Sequence, residues 1–212
     1  MGKTAIASDR GIAPSVGYDS PERFASYYCQ VDEIISIDPD RILEIGIGNK
    51  TVANYLRQYG YRVTTCDLNR RIRPSVVADV RSLPFTAVSF DMVLAAEILE
   101  HIPWRTVRGV IEQLHAITRR HVVVTIPYSS IYLEHTLSVR APVLKKRVLR
   151  TVIRIPYFFR GMAFTGEHYW EMGRRGYSKK VVRSVFKGLF NIEKEMTVPG
   201  NPYHYLFVLQ KR

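Results

Sequence analysis

Apolar residues in this chain fall into short blocks that switch between two periodicities. "RILEI" at 41–45, "YRVTTCD" at 61–67, "FDMVLAAE" at 90–97 and "RHVVVTIP" at 120–127 are compact runs rich in aliphatic and β-branched residues. Such runs suit strands buried on both faces. "SVVAD" at 75–79 is a shorter strand of the same kind. The segments between them space their apolar residues by three and four, as helices do. Ser20-Pro21-Glu22 opens the first helix with a capping serine, a proline and an acid, and "DPD" at 38–40 closes it. "KTVANYLRQYG" runs to a terminating Gly60, and "PWRTVRGVIEQLHAIT" opens on proline. After a lapse at 128–167 the pattern resumes with a helix, "SKKVVRSVFKGL". Two strands, "FNIEKEMTV" and "YHYLFVLQK", follow, joined by the turn residues "PGNP". This order predicts an α/β fold: a Rossmann-like, seven-stranded, mostly parallel sheet with a C-terminal antiparallel hairpin. Helices cover both faces, and a basic insert follows strand 5.

A chain of 212 residues, 46% hydrophobic and 24% charged, is long enough for one domain that buries roughly 70% of its unfolded surface. Residues 1–19 read as a flexible leader and 20–212 as the domain. No uncharged apolar run reaches the ~18 residues of a membrane span. Cys29 and Cys66 sit in periodic apolar segments and read as buried thiols of a reducing compartment. These features point to a cytoplasmic protein, with peripheral membrane contact open. The net charge of +12 favours phosphate-bearing partners.

The chemistry concentrates at strand ends. In "RILEIGIGNK", Glu44 precedes Gly46 and Gly48, residues that let a ligand approach the first strand-to-helix turn. Asp67 ends the next strand, 19 residues after Gly48, near the ~20 expected of a ribose-binding acid. A nicotinamide-dinucleotide site needs a third glycine where "GIGNKT" has Thr51. The pattern therefore favours a nucleoside-type ligand without a diphosphate.

Four segments in order, "LEIGIGN", "CDLN", "ADVRSLPF" and "FDMVLAAEILEHIP", resemble the class I S-adenosylmethionine-dependent methyltransferases, in particular the small-molecule and quinone-biosynthesis-like group. The resemblance covers about residues 20–127 and 165–210. Asn49-Lys50 departs from it, standing where many members place another glycine. The resemblance implies that Glu44, Gly46 and Gly48 frame the methionine part of S-adenosylmethionine. Asp67 would hold the ribose diol and Leu68 would pack on adenine. Asp79 would accept from the adenine amino group, and the Val80 amide would donate to the ring. Glu97 and Ile98 would line the pocket base. The product would be S-adenosylhomocysteine.

Glu97, Glu100 and His101 form E-x-x-E-H, and "GEHYWEMGRRGY" supplies His168. His101 and His168, with Glu100, are the catalytic candidates, since imidazole suits proton removal near neutral pH. Tyr169 and Trp170 are acceptor-side candidates, and His204 reads as structural. The expectation is a site without metal. Glu97, Glu100, His101 and His168 are the side chains that would hold one, as in the small-RNA 3′-end and quinone-biosynthesis O-methyltransferases that this loop resembles.

Residues 135–166 carry no acid but seven Lys and Arg. "VLKKRVLRTVIRI" reads as an amphipathic helix with a cationic face, Arg147, Arg150 and Arg154 lying opposite its apolar residues. The insert at 128–167 is then a lid over the substrate pocket, a membrane-surface element through 139–160, or a nucleic-acid face. Its apolar share disfavours nucleic acid. The expected function is methyl transfer to a small or lipid-like acceptor, through a hydroxyl. The alternatives are an RNA methyltransferase, metal-assisted at a 2′-hydroxyl, and a catalytically idle nucleoside-binding module.

Overall fold

The structure, a computed structural model, describes residues 19–141, 144–162, 164 and 166–212. The leader expected at 1–19 lies, apart from Asp19, outside the described residues. Helix α1 (Pro21–Ile37) starts where Ser20 Oγ accepts from Arg23 N and ends at Asp38 in a left-handed conformation. Then follow β1 (Arg41–Ile45), α2 (Thr51–Gln58), β2 (Arg62–Asp67), β3 (Val76–Val77) and β4 (Phe90–Ala96). The chain continues through α3 (Trp104–Ile117), β5 (Thr118–Pro127), β6 (Ser130–Ala141), β7 (Leu144–Pro156), α4 (Lys179–Phe186), β8 (Phe190–Val198) and β9 (Asn201–Lys211).

The main sheet has the order β3-β2-β1-β4-β5-β9-β8. Its first five strands are parallel, whereas β9 runs antiparallel to both β5 and β8. The expected closing hairpin is therefore present. Alternate residues of the central strands feed two cores. Leu43, Val93, Val122 and Val124 pack with Val107, Ile111 and Phe186 of α3 and α4. Ile42, Met92, Leu94 and Val123 pack with Ile34, Val52 and Leu56 of α1 and α2. Strands buried on both faces need apolar residues at every position, which explains the continuous blocks in the sequence. Cys29 and Cys66 are buried thiols, as expected.

The insert departs from the expected helix. β6 and β7 form a separate antiparallel ribbon, with Ser130 opposite Pro156 and Val139 opposite Arg147. Arg154, expected on an open cationic face, anchors this ribbon instead. Its guanidinium donates to Ser130 Oγ (2.8 Å), Thr197 Oγ1 (3.1 Å) and the Pro202 carbonyl (2.8 Å), and lies 4.2 Å from the centroid of the Tyr128 ring. Among the described residues no helix is long and apolar enough to cross a membrane.

Candidate active site

β1 lies between β2 and β4, so the strand order reverses beside its carboxyl end, where ligands of open α/β sheets bind. Gly46 and Gly48 turn there with φ of +75° and +47°. The Gly46 amide donates to the Cys66 carbonyl at 2.9 Å. A Cβ on Gly46 would sit 1.9 Å from Ile98 Cδ1. Gly46→Ala combines that overlap with a left-handed backbone and should cost about 1–3 kcal/mol of stability. It should also weaken cofactor affinity at least about tenfold, since about 1.4 kcal/mol of distortion suffices. Denaturant unfolding and calorimetry measure the two effects. Lys50 itself adopts φ +67°. Asn49 Oδ1 accepts from Thr51 N at 3.1 Å, capping α2 in place of a residue at its own N-cap position.

Asp67 closes onto this loop. Its Oδ2 accepts from Ile47 N at 3.0 Å and its Oδ1 from Asn69 N at 2.8 Å. Partial burial raises its carboxyl above the ordinary range, against the pull of those amides. Leu68, next to it, is 68% exposed, an aliphatic surface open beside the acid. β3 sets Val77 opposite Asp67, and Ala78 N donates to the Asp67 carbonyl at 3.2 Å. Asp79 and Val80 therefore stand on the same rim. Arg81 forks onto the Asp79 carboxylate, with Nη2 to Oδ2 at 2.5 Å, and holds its pKa below the usual value. Glu44 points to the α1/α2 side of the sheet, where burial pushes its carboxyl up to about 8. An adenosyl ligand fits these residues: a bend too tight for a Cβ, an acid with lone pairs at the bend, and an exposed aliphatic between them.

The second half of the site is a chain of acids and imidazoles. Glu97 follows β4 with φ +53°, strained for a non-glycine residue. Its Oε2 pairs with His204 Nε2 at 3.3 Å, while its Oε1 is buried without a hydrogen-bond partner among the described residues. Glu100 is fully buried, its Oε1 4.0 Å from His101 Nε2, and neither of its oxygens has a hydrogen-bond partner among the described residues. Burial, then the neighbouring Glu97 charge, raises its pKa well above the carboxylate range. The His101 and His168 rings meet edge to face at 4.9 Å. His101 Nδ1 lies 3.0 Å from the Glu167 carbonyl, which can only accept, and His168 Nδ1 lies 2.8 Å from Glu171 Oε1. Each Nδ1 is thus the donor, and each Nε2 keeps its lone pair. Burial alone would raise the Glu171 carboxyl, yet hydrogen bonds from His168, Ser129 and Tyr203 hold it at about 2. One ligand atom from each of Glu100, His101 and His168 lies within 4.8 Å of the others, so this donor set suits a divalent cation.

One assignment changes, and one gains its contacts. Trp170 is wholly buried, donates from Nε1 to the Leu99 carbonyl at 2.9 Å and stacks edge-on against Trp104, so it is a core residue. His204 is more than a hairpin residue. It bridges Glu97 to Ser26 of α1, its Nδ1 2.8 Å from Ser26 Oγ. Tyr169 is half-exposed and stacks on Phe164.

Residues 43–126 match a family model described as a methyltransferase domain. No curated protein matches the sequence. Among solved structures, the PH0226 protein of Pyrococcus horikoshii OT3 is similar at a TM-score of 0.59 and 15% identity, over 92% of this chain and 93% of that one. The magnesium protoporphyrin IX methyltransferase of Synechocystis PCC 6803, with bound S-adenosylhomocysteine, gives 0.60 and 12%, over 90% and 85%. The N-methyltransferase NodS of Bradyrhizobium japonicum WM9, in complex with S-adenosylhomocysteine, gives 0.56 and 12%, over 91% and 89%. At these identities the likeness is one of fold.

Proposed function

We propose that this chain, which matches a methyltransferase-domain model over residues 43–126, is an S-adenosylmethionine-dependent methyltransferase that methylates a hydroxyl of a small or lipid-like acceptor. The observation that carries this reading is the pair of imidazoles whose Nδ1 atoms are pinned and whose Nε2 atoms keep their lone pairs, next to the glycine loop's end of the sheet. S-adenosylmethionine, held by Asp67, the Gly46–Gly48 bend and the Asp79–Val80 rim, supplies an electrophilic methyl group. The protein aligns the acceptor oxygen with it, and alignment is the main catalytic term in a direct displacement. The hydroxyl proton leaves for Nε2 of His101 or His168. Glu171 stabilises the imidazolium when His168 takes it, as a buried carboxylate oriented on Nδ1 does. Burial lowers the His101 pKa, which keeps that ring neutral and ready as a base.

A second reading is favoured by the Glu100 carboxylate, which has no hydrogen-bond partner among the described residues. There Glu100, His101 and His168, with Glu97 beside them, hold a divalent cation that lowers the acceptor's pKa. A 2′-hydroxyl of RNA would then be as suitable as a small-molecule hydroxyl.

The test uses labelled methyl donor with panels of phenolic, aliphatic and RNA hydroxyl acceptors. His101→Ala and His168→Ala should each lower turnover about 10²–10⁴-fold, with S-adenosylhomocysteine affinity near wild type. Activity that survives chelation supports the base reading. Activity lost to chelator and restored by magnesium or manganese supports the metal. Cofactor binding without turnover on any acceptor identifies an idle module and overturns both.

A further inference from the structure

The β6–β7 hairpin presents two unlike faces. Ser130 and Glu134 of β6 face the body, where Arg154 clamps the base through Ser130 Oγ and the Pro202 carbonyl, and Glu134 Oε1 accepts from Gly200 N at 3.1 Å. The odd positions form cross-strand pairs on the opposite face: Ile131 with Ile155, Leu133 with Ile153, and Leu137 with Leu149. All six side chains are 50–66% exposed. Phe158 and Phe159, just past β7, are exposed as well. A two-stranded ribbon is marginal in water on its own, and a row of paired aliphatics on it marks an interaction surface.

The charge pattern selects the partner. The sequence places Arg140, Lys145, Lys146 and Arg147 at the far end of the hairpin, and residues 135–166 contain no acid. A nucleic-acid face would offer polar and stacking groups in place of six aliphatic side chains. A second copy of this chain would bring another +12 charge to the contact. An anionic bilayer satisfies both features, since its acyl boundary takes the aliphatic face and its phosphates take the cations.

We propose that the odd-numbered face of this hairpin docks the protein on an anionic membrane surface. The docking goes beyond the methyl-transfer reading and does not depend on it, yet the two meet in space. Ser129, immediately before β6, donates to Glu171, the carboxylate that fixes His168. The membrane-facing element and the imidazole pair thus share a support, which places the acceptor side of the site near the bilayer.

Flotation of the full-length chain with vesicles tests this. Wild type should float with phosphatidylcholine vesicles containing phosphatidylserine and stay in solution with phosphatidylcholine alone. The triple change Leu133→Ser, Leu137→Ser and Ile153→Ser should abolish flotation. Replacing Lys145, Lys146 and Arg147 with glutamine should weaken it about a hundredfold. Both variants should bind S-adenosylhomocysteine as wild type does, which reports that they are folded and separates failure of docking from failure of the cofactor reading. The proposal is overturned if wild type stays in solution with anionic vesicles, or if the serine variant floats as well as wild type. It is also overturned if a single-stranded RNA displaces the protein from vesicles by occupying the hairpin, or if wild type is a dimer that the serine variant makes monomeric.

Discussion

Asp67→Ala is expected to lower affinity for S-adenosylhomocysteine by about 10²–10⁴-fold. The carboxylate already accepts from Ile47 and Asn69 amides, one on each oxygen, and each oxygen retains a second lone pair for a ribose hydroxyl. Hydrogen bonds to a charged acceptor contribute about 1.5–3 kcal/mol each, so losing two gives roughly 3–6 kcal/mol, the stated range. Alanine also frees the Ile47 amide, and with it the bend through Gly46 and Gly48. Asp67→Asn should lose less than alanine does, because its one oxygen can still accept from Ile47 or Asn69, while its NH2 group can accept from neither. Calorimetric titration measures the loss, and circular dichroism shows that the fold persists. Binding undiminished by Asp67→Ala would remove the acid from the cofactor site and undermine the proposed activity.

What the sequence disclosed depended on how far apart the interacting residues stand. The glycine bend, Asp67 and Asp79 lie on consecutive strands, so local order alone predicts their meeting at one rim. The His204–Glu97 contact needs the antiparallel return of β9 beside β5, which no local pattern encodes; its only signal was a histidine on a strand next to the fifth. Ser129 and Tyr203, which join His168 on Glu171, are hidden for the same reason. The hairpin was legible but misread. "VLKKRVLRTVIRI" satisfies helical spacing, yet Val148, Thr151, Val152, Ile153 and Ile155 are β-branched, a composition that crowds a helix and suits a strand. "IYLEHTLSV" before it alternates apolar residues at 131, 133, 137 and 139, and Pro142 breaks the two runs. Weighing branching above periodicity would have given the correct element. Trp170 fails differently: a large aromatic in a polar loop carries no mark of whether it lines a cavity or fills the core.

Glu44 supplies a pH dependence large enough to measure. Its side chain is buried beside α2, one carboxylate oxygen lacks a hydrogen-bond partner among the described residues, and burial moves its pKa from the ordinary 4.5 to about 8. The folded state therefore holds a proton that the unfolded chain releases above pH 4.5. Where the native state binds more protons, stability falls as pH rises. The contribution is intact below about pH 4.5, declines through the interval up to about 8, and then levels off. At about 1.4 kcal/mol per unit, the loss by pH 7 is roughly 3 kcal/mol. Glu44→Gln keeps the shape of the protonated acid and has no charge to desolvate, so it should be nearly neutral at pH 5 and more stable than wild type by roughly 3 kcal/mol at pH 7. Urea unfolding at the two pH values measures this difference. Cofactor binding should show the reverse sense. A methionine ammonium near Glu44 favours the ionised carboxylate, so wild-type affinity should rise from pH 6 toward 8, by up to about tenfold per unit, and the glutamine variant should lose that slope. A wild-type affinity flat across this interval would confine Glu44 to supporting the first turn of α2 and remove it from the methionine site.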